Sequence, residues 1–215
     1  MANRAVKQFR TGGEIRRRLD VSGSRPVPIA GSRRGPFFPP QSGFGMADIT
    51  VDTTARFPQR RPAASLVLVV LASELLGGLG NLLSLSGVTT WYPTLTKPAF
   101  TPPGWVFGPV WITLFALMGV AAWLVWRAGL DDRTVRIALA LFAGQFAFNV
   151  AWSGAFFGLR SPLLGLVVIA VLWLTIVATV LAFDRVDRRA ALLLVPYLLW
   201  VSFAALLNYE LWRLN

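Results

Sequence analysis

The chain has 215 residues, of which 55% are apolar and 14% charged, and its mean hydropathy is +0.58. Water-soluble domains carry about 25% charged residues, so this composition excludes an ordinary soluble surface. Cys and His are both absent, which excludes disulfides, thiol nucleophiles, Cys/His zinc sites, histidine acid–base work and His or Cys haem ligation.

Residues 1–62 hold twelve Lys/Arg against four Asp/Glu, so +8 of the net +11 belongs to this segment. The charge therefore marks a tail rather than a nucleic-acid face, and no nucleic-acid partner is expected. Runs such as Arg16-Arg17-Arg18 and Gly35-Pro36-Phe37-Phe38-Pro39-Pro40 carry no sustained apolar periodicity. The segment reads as a disordered basic N-terminal tail. It lacks the apolar region of a secretory signal, and its prolines disfavour the amphipathic helix of a transit peptide. A second reading places the start at Met46 and makes residues 1–45 a mis-assigned start.

Five apolar stretches follow, at about 63–85, 105–126, 137–159, 163–183 and 190–211. Each is near the roughly 20 residues that span hydrocarbon, and none alternates with period two. The sequence predicts an all-α membrane protein, a five-helix transmembrane bundle over residues 63–215, surrounded by membrane lipids. Prolines 93, 98, 102 and 103 punctuate the first loop, Asp131-Asp132-Arg133 the second, Arg160-Ser161-Pro162 the third and Asp184–Arg189 the fourth. Counting the tail, eighteen basic residues fall on one side and three (Lys97, Arg160, Arg213) on the other. The N-terminus is thus expected in the cytoplasm and the C-terminus outside, with an inner membrane favoured.

Polar and aromatic residues share faces within these stretches. In the first, Glu74 stands mid-span, one turn before Gly77, Gly78 and Gly80, and this surface is expected to serve helix packing or dimer contact. Trp111, Phe115 and Met118 align on the second helix, Gln145, Asn149 and Trp152 on the third, and Tyr197, Trp200, Ala204 and Asn208 on the fifth. Polar groups in hydrocarbon need partners, so these faces point inward, either lining a shared cavity or simply bridging helices. A cavity with aromatic walls and few polar groups suits a flat apolar ligand. Trp126 and Trp212 flank helix ends and read as interfacial anchors.

The run Trp91-Tyr92-Pro93-Thr94-Leu95-Thr96-Lys97-Pro98-Ala99-Phe100-Thr101-Pro102-Pro103-Gly104-Trp105-Val106-Phe107-Gly108-Pro109-Val110-Trp111 carries a resemblance. So do Gln145–Trp152 with Phe156-Phe157-Gly158, and Pro196–Tyr209 with Trp212-Arg213-Leu214-Asn215. Over about residues 63–215 the chain resembles the TspO/MBR family, the tryptophan-rich sensory and translocator proteins. The resemblance implies a dimeric five-helix bundle whose cavity takes porphyrins, sterols and aromatic drugs, acting in tetrapyrrole handling and stress signalling. Family members also occur in outer membranes, so that location stays open.

The candidate ligand-binding set is Trp91, Tyr92, Lys97, Pro102, Trp105, Trp111, Phe115, Gln145, Asn149, Trp152, Tyr197, Trp200, Ala204 and Asn208. The proline-stiffened Trp91–Pro103 segment is expected to form a lid, with Lys97 meeting an acidic group such as a porphyrin propionate. No cofactor is required; protoporphyrin IX or haem is the candidate ligand, and no metal site is expected. The resemblance matches Trp111 and Trp200 to the two tryptophans proposed in bacterial relatives to act on bound porphyrin under light. A light-dependent porphyrin-degrading enzyme is therefore one alternative, and a tetrapyrrole or lipid transporter another. Leu207, Tyr209 and Arg213 satisfy a loose sterol-contact pattern at the place of the family's sterol motif, although an interfacial Tyr/Trp/Arg anchor is the preferred reading.

Overall fold

A computed structural model describes residues 57–215, so the expectations for residues 1–56 lie outside the described part. After one helical turn, Phe57–Arg60, five long helices follow: α1 (Pro62–Ser86), α2 (Gly104–Arg127), α3 (Arg133–Ser153), α4 (Pro162–Asp184) and α5 (Arg188–Leu214). All five are long and apolar enough to cross a membrane. The described residues are predominantly helical, without strands, as the continuous apolar runs predict.

Helix starts follow local chemistry. Pro62 and Pro162 occupy first-turn positions, where the missing N–H is not needed. Asp132 accepts from the Thr134 N–H at 2.7 Å, Ser161 from the Leu164 N–H at 3.3 Å and Asp187 from the Arg189 N–H at 2.8 Å. Pro109 and Pro196 lie inside α2 and α5. Two helices end in π turns, Gly87–Trp91 after α1 and Gly154–Gly158 after α3.

The helices close a ring in the order α1, α2, α5, α4, α3. Its apolar core holds Met118, Val125, Phe146, Ile169, Ile176, Phe183 and Leu194. Glycines set the close approaches: a Cβ on Gly119 would stand 2.8 Å from the Val70 Cα, and one on Gly87 would overlap the Phe157 carbonyl. The second contact joins the two π turns at one end of the bundle. There Trp91 and Tyr92 pack edge-on against Phe156, with ring centroids 5.5 and 6.4 Å apart.

The segment from Trp91 to Pro103 then crosses this end. Phe100 packs on Phe203 at 6.2 Å, and Lys97 stands 4.7 Å from the centre of the Tyr92 ring. The Thr96 N–H donates to Asn215 Oδ1 at 2.9 Å, and Asn215 Nδ2 donates to the Thr96 carbonyl at 3.0 Å. A pair of hydrogen bonds thus fastens the segment to the end of α5.

Candidate ligand cavity

Beneath this segment lies a cavity of about 710 Å³, walled by α1, α2, α3 and α5, to which α4 contributes no residue. Its walls are aromatic: Phe107, Trp111 and Phe115 on α2, Trp152, Phe156 and Phe157 on α3 and its π turn, and Trp200 and Phe203 on α5. The rings brace one another. Trp111 stacks on Phe115 at 5.2 Å, Trp152 on Phe156 at 5.5 Å, and Phe107 meets Trp200 edge-on at 5.8 Å.

Polar groups in the walls are few and mostly occupied. Asn208 accepts from the Trp152 indole N–H at 3.1 Å and donates to the Pro162 carbonyl at 2.8 Å, joining α5 to α3 and α4. Asn149 donates to the Tyr197 hydroxyl at 3.0 Å. Trp123 and Trp173 donate to Ser65 and Ser202 at 3.0 and 2.8 Å, so these two indoles bridge helices. By contrast, the indole N–H groups of Trp111 and Trp200 have no acceptor among the described residues and can serve a ligand. Glu74 lines the cavity from mid-span α1, and Lys97 lines it from the segment above.

Ten of the fourteen candidate residues line this one space: Tyr92, Lys97, Pro102, Trp111, Phe115, Asn149, Trp152, Trp200, Ala204 and Asn208. The other four are placed elsewhere. Trp91 packs behind the wall against Phe156, and Trp105 is 77% exposed on the outside of α2. Tyr197 is fully buried behind Trp111, at 6.4 Å between rings. Gln145 is buried one turn below Asn149, with both amide atoms lacking a protein partner among the described residues. In the sterol-pattern set, Leu207 lines the cavity, Tyr209 is exposed beside Trp212, and Arg213 pairs with Glu210 at 2.6 Å.

Several wall residues are not among the candidates. Phe107 and Phe203 carried a findable signal, since each lies one turn from a chosen tryptophan on its own helix. Phe156, four residues after Trp152, carried the same signal and stacks on that ring from within the π turn. Glu74, Gly77 and Gly78 all border the cavity, and Gly77 also packs as expected of this surface: a Cβ there would overlap the Phe115 ring. Among the described residues, no group of three or more His, Cys, Asp or Glu is placed to hold a metal.

These features define a multi-span membrane protein built around a tryptophan- and phenylalanine-walled cavity. The TspO/MBR family profile matches residues 66–213, and the chain belongs to that family. It is 48% identical over 139 residues to the tryptophan-rich protein TspO of Chlorobaculum tepidum, covering 65% of this chain and 88% of that protein. A tryptophan-rich protein TspO from Archaeoglobus fulgidus is 40% identical over 151 residues, covering 70% and 96%. The translocator protein of Homo sapiens is 43% identical over 127 residues, covering 58% and 75%.

Proposed function

We propose that this chain is a membrane receptor or carrier for a flat apolar ligand of the tetrapyrrole class. The observation that carries the reading is the convergence of Trp111, Trp152 and Trp200 on one cavity of about 710 Å³. That volume falls in the usual range for small-molecule sites, and aromatic walls with a few polar points are their usual chemistry. Trp111 and Trp200 offer unused indole N–H donors, while Lys97 offers a cation to an acidic substituent. Sterols and other apolar molecules are secondary candidates. Because Glu210 already occupies Arg213, the Leu207/Tyr209/Arg213 pattern serves as an interfacial anchor in this reading. The relatives' names, sensory protein and translocator protein, support a role in signalling or carriage. The functional unit is proposed to be a homodimer in an inner membrane, with its N-terminus cytoplasmic.

A second reading has one supporting observation. Trp111 and Trp200 both line the cavity and both lack an indole partner, so two oxidisable rings would flank one bound porphyrin. Light-dependent porphyrin breakdown by purified protein, lost in the Trp111→Phe/Trp200→Phe double variant, supports that reading; equal turnover in the variant removes it. A titration of wild type and Trp200→Phe with protoporphyrin IX in detergent tests the leading reading. Saturable binding in the micromolar range, weakened about three- to tenfold by the substitution, is expected. Binding weaker than about millimolar, or about 4 kcal/mol, overturns it.

A further inference from the structure

The cavity has two boundaries that could admit a ligand, and they differ in construction. On the water side the Trp91–Pro103 segment is fastened at several points. Thr96 and Asn215 exchange two hydrogen bonds, Trp91 and Tyr92 pack on Phe156, and Phe100 packs on Phe203.

On the lipid side the boundary is the seam between α1 and α2, and this seam parts. Near mid-span the helices touch, with Gly119 against Val70 and Gly77 against Phe115. Beyond that point α1 turns to α3 instead: a Cβ on Gly80 would stand 3.1 Å from Ser153 Oγ, and Gly87 abuts the Phe157 backbone. The α2 face that meets α1 at Phe115 and Gly119 continues, one turn at a time, through Ile112 and Gly108, where no described residue covers Gly108. Ile112 is 63% exposed although it lines the cavity, and a Cβ on Gly108 or on Gly78, both also in the lining, would meet no atom of the described residues within 4 Å. From Glu74 to Val88 the cavity's α1 border runs about 20 Å along the helix, much of one hydrocarbon half-thickness and beyond.

We propose that the parted seam between α1 and α2 is a lateral entrance through which an apolar planar ligand dissolved in the bilayer reaches the cavity without passing under the segment above. The proposal rests on reading the cavity as a ligand site. Glu74 lies on α1 between the contacts at Val70 and Gly77, at the closed inner end of the seam; unpaired among the described residues, it supplies the cavity a polar contact that hydrocarbon does not, and so favours ligands bearing a hydrogen-bond donor. Neither Gly78 nor Gly108 adopts a positive φ, so side chains can be introduced there without backbone strain.

The test measures protoporphyrin IX association and dissociation with the protein in phospholipid vesicles. Ile112→Trp and Gly78→Leu, which narrow the seam, are expected to slow association and dissociation about tenfold. An unchanged thermal-unfolding midpoint in each variant is the control for folding. Asn215→Ala, which releases the segment on the water side, is expected to leave both rates unchanged. Unchanged rates in the narrowed variants, together with faster exchange in Asn215→Ala, overturn the lateral route. If protoporphyrin IX does not bind at all, the ligand reading falls, and spin labels decide the seam separately. The chain has no cysteine, so single cysteines at Gly78 and Gly108 take one nitroxide each. Collisions with dissolved oxygen exceeding those with a water-soluble nickel complex support a lipid-open seam; nickel-dominated or immobilised labels overturn it.

Discussion

At the level of single residues, Asn208 is the side chain on which most of the cavity geometry depends. Its amide orients the Trp152 ring and ties α5 to the first residue of α4, and Gly165 leaves room for it. An Asn208→Leu variant has similar volume but leaves the Trp152 indole N–H without an acceptor, a cost of about 1–3 kcal/mol in a dry setting. A correspondingly lower denaturation midpoint in detergent is expected, with weaker protoporphyrin binding because Trp152 loses its fixed orientation. Gly77 and Gly78 offer a sharper pair. Gly77→Ala drives a methyl into the Phe115 ring and should cost about 1–3 kcal/mol. Gly78→Ala meets open space and should change stability by less than about 0.5 kcal/mol. Thermal unfolding of the two variants side by side checks both figures; equal losses would mean that α1 does not approach α2 at Phe115.

At the level of elements, the two π turns and the segment they position act as one unit. The two π turns meet where Gly87 abuts the Phe157 backbone, and Trp91 and Tyr92 pack there against Phe156. Half-burial of Tyr92 raises its phenol above the ordinary value of 10.0, because desolvation penalises the phenolate. The sign follows directly. The phenol is kept neutral in the folded state, so its stabilising contribution is complete below pH 10 and is lost as pH rises through the raised value. The segment should therefore loosen above about pH 10, detected as faster proteolysis between Trp91 and Pro103. Tyr92→Phe should remove that alkaline step while leaving neutral-pH protection intact.

These elements also mark what the sequence could and could not reveal. Five continuous apolar runs made the helices legible, because a bilayer leaves the backbone no other way to satisfy its hydrogen bonds. Steps of three and four residues likewise placed Trp200, Ala204 and Asn208 on one face, and all three line the cavity. Tyr197 fits the same spacing yet sits behind Trp111, because α2 approaches α5 closely at that depth. Trp105 belongs to the most recognisable motif but projects outward, a consequence of where Gly104 starts the helix. Phe156 lies four residues after Trp152 and is legible by the same spacing. Glu74 reads as a packing residue in the sequence but lines the cavity, because its surroundings are set by helix–helix approach that a single-chain period does not encode.

At the level of the whole molecule, the ring divides its helices between two duties. α4 contributes nothing to the cavity but packs along α3 and α5, holding Asn208 through the Pro162 carbonyl. The two ends of the ring also differ in chemistry. Gln59 Nε2 donates to the Arg127 carbonyl at 3.0 Å, and Arg127 lies 4.6 Å from the Trp123 ring centre, so the chain before α1 meets the α2–α3 turn. Successive antiparallel spans put the Arg185/Arg188/Arg189 loop at that same end. The opposite end has the Thr96–Asn215 pairing and, among the described residues, only Lys97, Arg160 and Arg213 as basic residues. Positive charge is retained on the cytoplasmic side, so the Arg-rich end should be cytoplasmic and the cavity's covering segment should face away. A C-terminal alkaline phosphatase fusion in a bacterial host should accordingly be active and a C-terminal fluorescent-protein fusion dark. The reverse pair of signals would put the covering segment in the cytoplasm. The lateral entrance would then lie in the cytoplasmic leaflet, because its position in the bundle is set by where α1 parts from α2 and is independent of which way the bundle is inserted.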